Sequence, residues 1–210
     1  MDDILLKQAG QLNLRNRSIG GPFPPVILLT DDARLPDPLA AIAQLPRRSM
    51  VIFRHYDHTN RTTLAAKVCA ESRRSGHKIL IANDLALALK LGADGVHLPE
   101  YRILQTPSIF GQIPSGLIVT SACHSMATLR KLCLLPRDYR PDGVLISPVF
   151  HTQSHPGAAH MPFERVQQVA HLAAQNAITP IGLGGIDRNT IKKLRGSVLA
   201  SVAGIGFSVG

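Results

Sequence analysis

The side chains able to do chemistry in this chain are not scattered. They close short apolar runs in succession: Thr30-Asp31-Asp32, Arg54-His55-Tyr56, Asn83-Asp84, His97-Leu98-Pro99-Glu100, Ser121-Ala122-Cys123-His124, Ser147 through Gly157, Gly184-Gly185-Ile186 and Ala203-Gly204. Imidazole titrates near neutral pH and can both take and give a proton. Glycine pairs let backbone N–H groups approach an anion closely. Other arrangements are poorer. His151, His155 and His160 share one loop but lack a cysteine or carboxylate partner, which disfavours a metal site there. Ser121, Cys123 and His124 are too close along one strand to serve as nucleophile and base, since neighbours alternate between faces.

The runs that must position these clusters are Pro25–Thr30, Met50–Tyr56, Lys78–Ala82, Gly95–Leu98, Leu117–Ala122, Gly143–Phe150, Ile178–Leu183 and Val198–Ile205. Several are nearly continuous in Val, Ile and Leu, the pattern of strands buried on both faces. Between them, helical spacing predicts Pro38–Leu45, Thr62–Ser75, Leu85–Leu91, Met126–Leu135, Phe163–Gln175 and Asn189–Leu194, with only a short helix in Tyr101–Ile113. Eight strands with intervening helices in 210 residues is the count of an α/β (β/α)8 TIM barrel, a single domain over residues 25–210. A doubly wound sheet would place its glycine loop after the first strand. Here Gly182, Gly184, Gly185, Gly204 and Gly206 follow the last two, where barrels commonly hold phosphate. Within residues 1–24, Ile4–Leu14 predicts a helix covering the barrel floor, and Ser18–Pro25 reads as a linker.

Charge points the same way. Lys and Arg number 23 against 14 acids, a net +9 with a pI near 10.0, so an anionic partner is expected. Aromatics are 4% with no Trp, a poor supply for stacking on single strands. A phosphorylated small molecule is therefore expected, not nucleic acid. No apolar run reaches the ~18 residues of a membrane span, and Met1-Asp2-Asp3-Ile4 lacks the features of a signal peptide. Cys69, Cys123 and Cys133 are odd in number and form no CxxC pair; Cys69 and Cys133 read as small core residues. A cytoplasmic location is expected.

The order Leu28-Leu29-Thr30-Asp31, Phe53-Arg54, Ala82-Asn83-Asp84, Gly92-Ala93-Asp94-Gly95-Val96-His97-Leu98, Ser121-Ala122-Cys123-His124, Ser147-Pro148-Val149-Phe150-His151-Thr152 and Ile181-Gly182-Leu183-Gly184-Gly185-Ile186 resembles the thiamine-phosphate synthase and thiazole tautomerase (TenI) family. The resemblance runs from about residue 26 to 206 and implies a (β/α)8 barrel that handles thiazole phosphate. It implies that His124 transfers a proton in the tautomerase branch, and that Asn83, Ser121 and the hydroxyls of Thr152 and Ser154 contact substrate. Gly184, Gly185, Ala203 and Gly204 would let backbone amides cradle the phosphate, helped by a helix after Ile186 capped by Asp187 or Asn189.

Departures from the synthase pattern are concentrated where that branch binds diphosphate and Mg²⁺. The second strand ends Ile52-Phe53-Arg54-His55-Tyr56, keeping one arginine of a longer polar pattern; Arg102 stands where an acid is expected; His155 stands where a lysine is expected. Asp84 remains as a lone candidate for Mg²⁺, and one carboxylate makes a weak magnesium site. Arg54, Arg102 and His155 are candidates to bind diphosphate directly. Pro99 resembles the tautomerase branch. Tautomerase-like chemistry without a cofactor is the favoured expectation. The alternatives are a divergent Mg²⁺-dependent synthase joining a pyrimidine diphosphate to thiazole phosphate, or a non-catalytic thiazole-phosphate-binding barrel. A homo-oligomer is compatible with each. Phe53, Phe150 and Phe207 are expected to fill the core and line the pocket.

Overall fold

In a computed structural model that describes residues 2–151 and 161–205, the chain runs α1(Asp3–Arg15), β1(Val26–Leu29), α2(Pro38–Ala43), β2(Met50–Phe53), α3(Arg61–Arg74), β3(Lys78–Ala82), α4(Leu85–Leu91), β4(Gly95–Leu98), α5(Glu100–Gln105), β5(Ile118–Cys123), α6(Met126–Cys133), β6(Gly143–Ile146), α7(Phe163–Gln175), β7(Thr179–Leu183) and β8(Ser201–Gly204). The eight strands form a closed parallel barrel in sequence order, with β8 returning to β1. Each apolar run is buried on both faces because it meets two cores. Ile27, Leu29, Met50, Ile52, Leu80, Leu145 and Ile181 fill the barrel interior. Val26, Leu28, Val51, Ile79, Ile81 and Val144 face the surrounding helices. This is period-two alternation with apolar residues on both faces of the strands.

The strands are shorter than the apolar runs suggest. Pairing stops at Phe53, Ile146 and Gly204, and the residues beyond turn into the loops of the rim. Thr30, for example, accepts the Arg54 amide at its side-chain Oγ1, 2.9 Å away, in place of a ladder bond. The Tyr101–Ile113 stretch lies across α5 and a 3-10 turn, Pro107–Gln112, and buries Ile103, Ile109 and Phe110. The segment predicted as a helix over Asn189–Leu194 is a four-residue 3-10 turn, Ile191–Leu194.

The amino-terminal helix takes a different place from the one expected. It presents Leu5, Ala9 and Leu12 to the core and packs along the Ile191–Leu194 turn and β8. Its last turn is fastened to the start of β8: the Asn13 amide donates to Ala200 O at 2.7 Å, and the Asn16 amide to Leu199 O at 2.7 Å. Asp2 caps its first turn and pairs with Arg188 at 3.4 Å. The helix is thus a wall element. The floor is plugged by Phe23, whose ring lies so close to Gly143 that a Cβ there would meet it at 2.7 Å.

Candidate active site

The carboxyl ends of β1 to β4 carry a set of mutually paired charges. Asp31 Oδ2 accepts from Arg34 at 2.7 Å and from Arg54 at 3.0 Å, and Arg54 Nε also reaches Thr30 O at 3.3 Å. Burial alone would raise the Asp31 pKa, but the hydrogen bonds and charge of Arg34, with the charge of Arg54, hold it at about 2. Asn83, at φ 57°, turns the chain out of β3 in a left-handed conformation that asparagine tolerates. Its amide donates to Tyr101 Oη at 2.8 Å.

Asp84 caps α4, accepting from the Leu87 amide at 2.9 Å, and its second oxygen accepts from Arg61 at 2.9 Å. Arg61 is held further by Nε to His55 O at 2.8 Å and by its other terminal nitrogen to Ala82 O at 2.8 Å. Its guanidinium lies 5.6 Å above the Phe53 ring.

These contacts decide the fit of Mg²⁺, which the resemblance to the synthase branch implies. Both Asp84 oxygens are engaged, one by a guanidinium. A divalent ion sharing Asp84 would sit roughly 4 Å from that charge and meet about 8 kcal/mol of repulsion at an effective dielectric of 20, before solvent screening. Glu100, the other acid considered from the sequence, accepts the His124 amide at 2.9 Å. Among the described residues, no group of three His, Cys, Asp or Glu side chains could hold a metal. Paired as they are here, these residues do not fit the ion.

The opposite arc of the rim is arranged differently. His124 follows β5 and is exposed. Its Nδ1 lies 3.1 Å from Ser147 O and 3.1 Å from Ser147 Oγ. In the tautomer that donates Nδ1–H to the Ser147 carbonyl, Nε2 of the ring is left as the acceptor. Beside it opens a cleft of about 480 Å³, bordered by Ser125, Met126, Pro148, Met161 and Arg165.

Between the two arcs lies His97, which faces the barrel interior and meets Thr120 Oγ1 at 3.0 Å. Burial, with smaller contributions from the charges of Arg54 and His124, lowers its pKa to about 3. His97 is therefore a neutral imidazole within electrostatic reach of both arcs.

The glycine region is shaped by contact with the loop after β6. Phe150 N donates to Gly184 O at 3.1 Å. At Gly185, with φ of 66°, a Cβ would fall 2.3 Å from His151 O and 2.8 Å from Phe150 Cβ. A larger residue there would displace the loop, so Gly185 serves packing whatever else it does. Gly204 ends β8, while Ala203 lies one layer down among the interior side chains. Asp187 accepts from the Asn189 and Thr190 amides at 2.8 Å each, ahead of the 3-10 turn Ile191–Leu194. The helix expected to follow Ile186 is thus a short 3-10 turn, preceded by the Asp187 side chain bonded to two backbone amides.

Ser121 is also displaced from its expected role. It pairs in register with Leu98 and shares a face with Val119 and Cys123, all on the helix side of the barrel wall. Its hydroxyl is buried without a partner among the described residues. Ala122 holds the neighbouring pocket-side position. Phe53 is buried against His55, ring centroids 5.3 Å apart, and Phe150 stacks on Phe163 at 5.9 Å. Thr152, Ser154, His155, His160 and Phe207 lie outside the described residues. Sequence reasoning missed Arg61, which no spacing singles out, and did not foresee the pairing of His124 with Ser147.

Three comparisons bear on this arrangement. The family profile described as thiamine monophosphate synthase matches residues 28–206. A putative thiamine-phosphate synthase 2 of Aquifex aeolicus is 30% identical over 144 residues, covering 69% of this chain and 73% of that one. A thiamine-phosphate synthase of Laribacter hongkongensis is 31% identical over 125 residues, 58% of this chain and 54% of that one. In three dimensions the chain is similar to a thiamine phosphate pyrophosphorylase from Pyrococcus furiosus, with a TM-score of 0.64 and 16% identity over 86% of this chain and 85% of that one, a likeness of fold. No helix among the described residues is long and apolar enough to cross a membrane.

Proposed function

This chain belongs to the thiamine monophosphate synthase family, and we propose that it acts on a phosphorylated thiazole by proton transfer at His124. The observation that carries this reading is the Nδ1 contact to the Ser147 carbonyl at 3.1 Å. With Nδ1–H donated to that carbonyl, Nε2 is available as base, and the same contact supports the imidazolium formed once a proton is taken. The same ring then returns the proton at a second position of the substrate, so the reaction is an isomerisation and needs no cofactor. The adjoining cleft is wide enough for a five-membered ring and its substituents. The phosphate would lie toward Gly184, Gly185 and Gly204, with Thr152 and Ser154 as further donors implied by the resemblance.

A second reading, Mg²⁺-dependent joining of thiazole phosphate to a pyrimidine diphosphate, is favoured by the names of the relatives. One experiment separates the two. Phosphorylated thiazole in deuterated buffer with EDTA, followed by NMR, is expected to exchange a ring-system proton or interconvert tautomers in the presence of the protein. Absence of exchange, together with thiamine phosphate formation when pyrimidine diphosphate and Mg²⁺ are added, would overturn proton transfer. Saturable binding with neither reaction would leave a non-catalytic thiazole-phosphate receptor.

A further inference from the structure

We propose that Arg61 is a built-in cation that keeps divalent metal away from Asp84, making ligand binding at the β2–β3 rim independent of metal. The inference rests on four contacts of one guanidinium. It bonds to the Asp84 carboxylate at 2.9 Å, to His55 O at 2.8 Å and to Ala82 O at 2.8 Å, and it lies over the Phe53 ring. The two backbone carbonyls belong to different strand ends, so the guanidinium is fixed by the barrel itself and not by the carboxylate alone. Planar, permanently charged and forked, it suits this position in a way lysine would not.

The other oxygen of Asp84 is committed to the α4 cap. A divalent ion sharing the Asp84 carboxylate would have to displace Arg61 or sit against its like charge. Asp31 is held by Arg34 and Arg54, one Glu100 oxygen accepts the His124 amide, and among the described residues no group of three His, Cys, Asp or Glu side chains could repay this. Arg61 thus acts through Asp84 and is a positioning residue. Its role is separate from the His124 chemistry and stands or falls without it.

The test uses Mn²⁺ alone, titrated into the full chain and followed by the EPR signal of the free ion. Wild type and Asp84→Asn are expected to give superimposable titrations with no saturable site below about millimolar metal, the weak range expected of an isolated carboxylate. Arg61→Met is expected to take up Mn²⁺ at least fivefold more tightly than wild type, and Arg61→Met/Asp84→Asn to lose that gain. Mn²⁺ binding by wild type that Asp84→Asn abolishes would overturn the proposal. So would a folded Arg61→Met protein, judged by circular dichroism, that shows no gain. Should Arg61→Met fail to fold, the comparison of wild type with Asp84→Asn decides alone.

Discussion

The two arcs of the barrel rim are built from similar side chains and do opposite things with them. From β1 to β4, the polar groups at the strand ends are turned inward on one another: Asp31 with Arg34 and Arg54, Asp84 with Arg61, Asn83 with Tyr101. From β5 to β6, a histidine has one ring nitrogen beside a backbone carbonyl and borders an open cleft. Charge is abundant in the first arc and largely spent within the chain. In the second arc, Arg165 and the His124 imidazole border an open cleft. A rim's chemistry is therefore read from which of its groups remain uncommitted, and the count of charged residues is a poor guide.

The sharpest way to break this comparison is at His124. His124→Asn retains a hydrogen-bonding side chain but cannot titrate. Loss of a positioned acid–base group typically costs about 10²–10⁴ in rate, so proton exchange on the phosphorylated thiazole is expected to fall by that factor while its Kd, measured by calorimetry, changes less than about threefold. If exchange survives in His124→Asn, the base lies elsewhere, and neutral His97 at the junction of the arcs is the next group to test.

The contrast between arcs was only half visible in the sequence. The barrel was legible because eight apolar runs each ended in a polar cluster, and the strand count with glycines after the last two runs favours a barrel over a doubly wound sheet. Strand ends also led directly to Arg54, Asn83, Asp84 and His124. What could not be read was whom each group pairs with. Arg61 opens α3 and reaches residues 21 to 23 positions away, a spacing with no local signature. Ser121 went wrong by one residue, since a single step along a strand moves a side chain from pocket to wall. The turn after β7 was mistaken for a helix because Ile191 and Leu194 are apolar at helical spacing, and both are buried in the observed 3-10 turn.

Acid titration sharpens the comparison with a smaller effect. His97 has a folded pKa near 3 against an ordinary 6.5, so between those values the unfolded chain binds the extra proton. Its contribution to stability is complete above pH 6.5 and declines on acidification, at no more than about 1.4 kcal/mol per pH unit. His55 and His77, also lowered by burial, push in the same direction. The informative quantity is therefore the difference in slope between wild type and His97→Asn. Chemical denaturation from pH 6.5 to 4 is expected to show a shallower loss in the variant; equal slopes would mean His97 is solvated. Asp31, held at about 2, acts later. Its carboxylate stabilises the fold above its ordinary value of 3.8 and that contribution is lost as pH falls toward 2, an effect of roughly 1–2 kcal/mol after allowing for screening.

The smallest effect is expected at the edge of the self-paired arc. Tyr101 is 53% exposed and its hydroxyl accepts the Asn83 amide at 2.8 Å. Tyr101→Phe removes that acceptor and leaves the ring in place. Water can replace the lost partner at so exposed a site, so stability should change by less than about 0.5 kcal/mol. The readout is thiazole-phosphate affinity. If the β1–β4 arc is truly committed to itself, releasing one surface amide should leave Kd unchanged within twofold. A gain of tenfold or more in Tyr101→Phe would show that Tyr101 withholds Asn83 from the ligand, and that the pairing of this arc is a closed state which substrate opens.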